Sequence, residues 1–324
     1  MSDAHLPNFH DDVTPGWEPY KFPRTGLPEA IKTKPVEGSN GDRYSGSVPL
    51  VWCANAGRKL SAHGGYCASV LMTTARQYNR AKHHKLAHTE PLNLFVEFLH
   101  PLPAGPFEVA LETLQAGNRG STIQAKLLSG KGDKQETCSI AIIRFGILKD
   151  EGFVHNIQPP IGPVPDRDKE CARWTDALTY QFNPPTSAVR VYTPRDSGTP
   201  LWSEKYGGQN VRYQWTKMDD EDTFRLEHIP TLADLVPIMP LNFAEDGIFM
   251  AARYRVPTTC LQITFHAPLN NDEWLLTRTT MERLYAGRFD MKIQMYDEEK
   301  NLVASCVQLC AMIPQSKEKA RGKL

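Results

Sequence analysis

The chain repeats itself. Leu99-His100-Pro101-Leu102 closes one alternating apolar run, and Phe265-His266-Ala267-Pro268-Leu269 closes another far downstream. Ala116-Gly117-Asn118-Arg119 and Ala286-Gly287-Arg288 mark turns at matching places, and Thr137-Cys138-Ser139 aligns with Ser305-Cys306-Val307. Each half reads in the same order: a strand, a helix, then antiparallel strands. A repeat of whole-domain length is not a solenoid. It implies two fused copies forming a pseudo-dimer, with continuous sheets and a ligand site where the copies meet. A length of 324 residues fits two domains.

The first half starts after an irregular arm, residues 1–42, which is rich in Pro, Asp, Lys and Gly and lacks a hydrophobic period. The segment 43–55 reads as a strand. The Gly64-Gly65 pair then opens a helical stripe through Cys67, Val70, Leu71 and Ala75, which predicts a helix over 64–80. Its apolar side carries small residues, as suits a helix wrapped closely by a sheet. Four alternating runs follow, broken at Pro101, at Gly117-Asn118 and at the turn 130–133. One helix and four hairpin-linked strands indicate an α+β unit over 43–147.

Residues 148–204 hold many prolines and little periodicity, so they read as a linker or long crossover. The second unit, 205–314, begins with a strand at 210–218. The run Asp219-Asp220-Glu221-Asp222 reads as a solvated loop. The segment 231–243 reads as a short helix with Thr231 as its N-cap, ended or kinked by Pro237 and Pro240. The block from Pro257 to Ile313 is strand-rich, and a basic tail, 315–324, closes the chain.

Charge and cysteine usage narrow the function classes. Lys+Arg and Asp+Glu both number 37, which gives no support for a nucleic-acid partner. No apolar run reaches the ~20 residues of a membrane span. The seven cysteines form no CxxC and lie mostly in apolar runs, as reduced core cysteines do. Cys306 and Cys310 share the face of Gln308 by alternation. The polar connection holding His83, His84 and His88 lacks metal-ligand spacing, so no metal or cofactor is expected. The N-terminus has no signal-peptide pattern, and the C-terminal Gly322-Lys323-Leu324 partly matches a peroxisomal address. The compartment expected is therefore cytoplasmic or peroxisomal.

These residues carry a resemblance. Ala62-His63-Gly64-Gly65-Tyr66 resembles the F-G-G-Q segment that opens the central helix of thioesterase II-type, double-hotdog acyl-CoA thioesterases, with His63 standing where that family has Phe. Gly117-Asn118-Arg119-Gly120-Ser121 resembles their D-G-R-S-F turn. Phe265-His266, Glu273-Trp274-Leu275-Leu276, Ala286-Gly287-Arg288 and Leu302-Val303-Ala304-Ser305 through Gln308 resemble their F-H, E-W-L-L, R-G and L-V-A-S-x-x-Q elements. The resemblance implies a double hotdog fold: two units, each a long helix wrapped by an antiparallel sheet. It implies an acyl-CoA or other acyl thioester as substrate, and a homo-oligomer. It also implies an Asp, a Thr and a Gln that hold and activate water, which fall on Asp234, Thr258 and Gln308.

Chemistry fits those residue types. A partly desolvated Asp234 can take a proton from water, while Thr258 and Gln308 can orient both. The amides of Gly64 and Gly65 at a helix N-terminus suit a thioester oxygen that gains charge, with His63 as a polar wall. Two other readings compete. One is a lyase or cyclase of the same fold acting on a polyketide-like substrate, with Asp234 or His63 as acid or base. The other is a non-catalytic acyl-binding protein. No GxSxG elbow and no nucleotide fingerprint is present.

Overall fold

The computed structural model describes residues 8–9, 25–55, 60–130, 132–149, 155, 157–175, 183–194, 210–219, 223–236, 238–243 and 254–314. The first half contains β1 (Arg43–Val48), α1 (Gly64–Lys82), β2 (Glu90–Phe98), β3 (Gly105–Gly117), β4 (Gly120–Ser129) and β5 (Glu136–Gly146). The helix is buried nearly all round. Tyr66, Val70, Leu71, Met72 and Ala75 pack inside a sheet that presents Leu94, Val96, Val109, Ile123, Leu127 and Ile143. Arg80 and Lys82 occupy its last turn, where cations favour the helix dipole.

The second half contains β6 (Cys171–Thr175), β7 (Val189–Pro194), β8 (Val211–Met218), α2 (His228–Asp234), β9 (Thr258–Phe265), β10 (Leu275–Thr280), β11 (Arg288–Tyr296) and β12 (Leu302–Ala311). Among the described residues the two halves share one sheet, in the order β6-β7-β8-β10-β11-β12-β9-β2-β5-β4-β3-β1. The seam is the antiparallel pair β9–β2, and its register is its own image. Thr264 faces Asn93 and Cys260 faces Glu97, so the Gln262–Phe95 pair lies on the pseudo-two-fold axis. The strand ends agree with this symmetry. Leu99 and His100 both donate their amides to the Cys138 carbonyl, and His266 and Ala267 both donate to that of Val303.

That equivalence corrects one expected alignment. Cys138 answers to Val303, not to Cys306, because pairing with the seam strand sets the register and a three-residue likeness does not. The proline-rich stretch is also more than a connection. It supplies β6 and β7, which add two strands beyond β8. Pro184 and Pro185 sit in a short 3-10 helix before β7, and Pro194 ends it, so the prolines punctuate strands too short to show a period.

Residues 157–171 fold back over the outer face of the second half. Trp215 Nε1 donates to the Pro165 carbonyl at 2.9 Å, and Arg167 stacks on Trp274 at 4.7 Å. Cys171, Trp215, Leu276 and Tyr296 form a small second core beneath them. The acidic run is described only at Asp219, which pairs with Arg190 on β7.

Candidate active site

The site forms where α2 of the second half meets the N-terminus of α1 of the first. α2 starts at His228, earlier than the expected 231–243, and stops at Asp234, before the prolines that follow. Thr231 is therefore inside the helix and is not its cap. Its hydroxyl shares a 2.8 Å hydrogen bond with Ser69 and lies 3.2 Å from the Gly65 carbonyl oxygen. Ser69 in turn donates to the Glu227 carbonyl at 2.8 Å. Sequence patterning gave no role to Ser69, because a buried Ser on a helix face looks like any small core residue.

Gly64 and Gly65 permit this contact. A Cβ on Gly65 would lie 2.7 Å from the Pro230 carbonyl oxygen and 2.8 Å from both Thr231 Cα and Asp234 Cβ. One on Gly64 would lie 2.8 Å from Asp234 Oδ2. Glycine is needed at 65 because the backbone of α2 occupies the space a side chain would fill, and at 64 because the Asp234 carboxylate does.

The carboxylate of Asp234 is the hub. Gly65 N–H donates to Oδ2 at 2.7 Å. The Thr258 hydroxyl donates to Oδ1 at 2.9 Å. Gln308 Nε2 donates to the Ala233 carbonyl at 3.1 Å and reaches Oδ1 at 3.4 Å. His63 Nδ1 stands 3.5 Å from Oδ2. The six residues singled out in the sequence are thus brought to one place.

Their local roles differ from the simplest expectation in one respect. The Gly65 amide, expected to face a substrate oxygen, is bonded to Asp234 instead. His63 occupies the N-cap position of α1 but makes no side-chain cap. Asp234 supplies the cap from the other half, placing a negative charge at the positive end of a 19-residue helix.

The surroundings are dry and mostly neutral. Gln308 lies buried on the inner face of β12 between Cys306 and Cys310. Burial, and then the Asp234 charge, raises both thiols, with Cys310 pushed up to about 12. Burial raises the Cys67 thiol as well. Burial lowers His63, and the Asp234 charge opposes part of that shift. All seven cysteines are free. Among the described residues no group of three or more His, Cys, Asp or Glu is placed to hold a metal ion. His83 instead meets the Thr113 hydroxyl at 3.0 Å. No helix of the described residues is long and apolar enough to cross a membrane.

Comparison with known proteins bears on this arrangement. Residues 53–146 match the family description "acyl-CoA thioesterase N-terminal domain", and residues 160–312 match "acyl-CoA thioesterase C-terminal domain". A search of curated proteins by sequence found no match. Among solved structures, the fold is similar to that of a putative thioesterase II from Thermobifida fusca YX. That pair has 20% identity and a TM-score of 0.71, covering 90% of this chain and 98% of that one. It is also similar to a conserved hot dog-fold protein of unknown function from Alicyclobacillus acidocaldarius, with 18% identity, a TM-score of 0.70 and coverage of 88% and 97%. A third is an acyl-CoA thioesterase II, TesB2, from Mycobacterium marinum, with 18% identity, a TM-score of 0.63 and coverage of 89% and 98%. The continuous antiparallel sheet, the two inner helices and both matched domains make this chain a double-hotdog member of the acyl-CoA thioesterase family, a thioester hydrolase.

Proposed function

We propose that the chain hydrolyses an acyl-CoA or a related acyl thioester with a water molecule handled by the Asp234, Thr258 and Gln308 set. The observation that carries this reading is the Asp234 carboxylate itself. It belongs to one half, caps the helix of the other, and is fixed by donors from three separate segments. Such fixation orients a charge without leaving reorganisation to the moment of reaction. The Gln308 side-chain oxygen accepts a weak bond from the Cys310 thiol at 3.9 Å and keeps a second acceptor position for water. The Gly64 amide, at the positive end of α1, meets the thioester oxygen as it gains charge.

The test is thiol release from a panel of acyl-CoAs of increasing chain length, followed with a thiol-reactive dye. Release is expected for at least one chain length and is lost in Asp234→Ala. No release at any length would end this reading.

A second reading has one observation in its favour. His63 and Asp234 face each other across the halves, and a dehydration or cyclisation also needs an acid and a base so placed. It predicts formation of an enoyl product from a 3-hydroxyacyl thioester without thiol release. A homo-oligomer is a further proposal, checked by sedimentation. The Gly322-Lys323-Leu324 address lies outside the described residues, and masking it with a C-terminal tag in cells tests it.

A further inference from the structure

We infer that His63, rather than Asp234, takes the proton from the attacking water, with Asp234 holding the other side of the ring. This inference rests on the hydrolase reading above and assigns the base within that same site.

Three observations lead to it. First, the lone pairs of Asp234 are largely engaged. Gly65 N–H donates to Oδ2, and Thr258 and Gln308 donate to Oδ1. A carboxylate has about four acceptor positions, and three donors already take most of these, with His63 Nδ1 facing the remaining side. Second, His63 is buried at 7% exposure, and its Nδ1 is enclosed with no hydrogen-bond partner. Its distance of 3.5 Å from Oδ2 is just beyond bonding range. Such contacts in a site without substrate are often long and tighten in the productive complex. Third, Nε2 makes no hydrogen bond to the described residues and is not enclosed as Nδ1 is. A neutral ring whose Nδ1–H points at a carboxylate leaves the Nε2 lone pair free to accept a proton.

The step balances. Nε2 takes one proton of the water while the water oxygen forms a bond to the thioester carbon. The carbonyl π pair moves to oxygen. When C=O re-forms, the C–S bond breaks with its pair on sulfur, and the imidazolium returns the proton to the thiolate. One acyl thioester and one water become one carboxylic acid and one thiol. While the ring is charged, the adjacent Asp234 stabilises it.

The ring faces few other charges. Asp234 on α2 is the charged group against it among the described residues. Cys67 on α1, and Cys306 and Cys310 on β12, approach the same carboxylate, but burial keeps those thiols protonated. Burial also favours the neutral ring, so His63 is ready to act as a base at neutral pH.

The experiment measures kcat and KM against pH, from about 4.5 to 8.5, for the full chain and for His63→Asn and His63→Gln, on the best acyl-CoA of the panel. Asn can reproduce the Nδ1 donor, and Gln can reach toward the Nε2 position, but neither can take a proton. The wild type should gain activity as pH rises through an apparent pKa below the ordinary 6.5 of His. Both variants should lose about 10²- to 10⁴-fold in kcat with little change in KM, and lose that limb. Full rescue of kcat by either variant, with the limb retained, would show that His63 only positions Asp234. If neither variant folds by circular dichroism, the wild-type profile decides: activity that stays flat down to the carboxylate range overturns the assignment. Absence of thiol release by the wild type overturns the hydrolase reading together with this one, whereas release that survives in both variants overturns this one alone.

Discussion

The two halves share one strand order, but they use their helices differently. In the first half, α1 runs 19 residues and is wrapped on an inner face of Leu94, Val96, Val109, Ile123 and Ile143. In the second, α2 runs 7 residues, and the neighbouring inner face carries buried polar side chains: Arg212, Gln214, Thr216, Thr277 and Thr279. The outer faces differ as well, since residues 157–171 cover the second half while Phe95 and Leu114 of the first are exposed. The first half thus packs its long helix in an apolar frame, whereas the second has a short helix that ends on a carboxylate received by the N-terminus of α1.

The largest expected break of this comparison is at Asp234. Asp234→Asn should reduce kcat by about 10²- to 10⁴-fold, because the amide keeps an acceptor for Gly65 N–H but removes the charge. Its Tm should move little. Asp234→Ala should lose the same activity and about 1 kcal/mol of stability, since α1 also loses its cap. Equal activity in the Asn variant and the wild type would make Asp234 a cap and nothing more. Ile123→Ala tests the scaffold half. It should cost about 2–5 kcal/mol in chemical denaturation while kcat per folded molecule stays unchanged.

Acid should act first on the second half. His228 is fully buried at the start of α2, and its Nδ1 accepts from the Arg225 amide at 2.9 Å. Burial lowers its pKa to about 4. The unfolded chain therefore binds this proton more readily, so the stability is present above pH 6.5 and is lost as pH falls toward 4. The loss should be about 3 kcal/mol, read from urea midpoints at pH 7.5 and 4.5. His63 shifts in the same direction. His228→Gln should flatten part of that slope, and an unchanged slope would remove His228 from the account.

Gly65→Ala should cost about 1–3 kcal/mol and lower activity together, because the new Cβ meets backbone atoms of α2 that cannot give way. An unaffected Tm would mean that the two helices slide apart freely. The smallest effect is expected at the outer cover. Arg167→Ala removes the stacking on Trp274 and an exposed ion pair with Glu298 and should cost under about 1 kcal/mol, with kcat unchanged.

The duplicated plan, the extent of α1 and the strands of both halves are local or periodic properties, so they could be read along the chain. Alternation put Cys306, Gln308 and Cys310 on one buried face, where they lie. The resemblance to the thioesterase family led to Asp234, Thr258 and Gln308 as a group. The place of Thr231 inside the helix and the two strands within 148–204 escape a local reading for a shared reason. Thr231 bonds to residues of the first half, and β6 and β7 take their partners from a sheet edge, so neither role has a local signature.

The sequence by itself determined that two copies of one α+β unit are joined, because hydrophobic period and turn chemistry act within a few residues of each other. Only the tertiary structure decided that the Gly65 amide is held by Asp234 and that His63 turns one ring nitrogen toward the same carboxylate. Residues so far apart in the chain meet because the seam register brings the start of one helix against the end of the other. That register is a cooperative property of the whole sheet, which no single segment encodes.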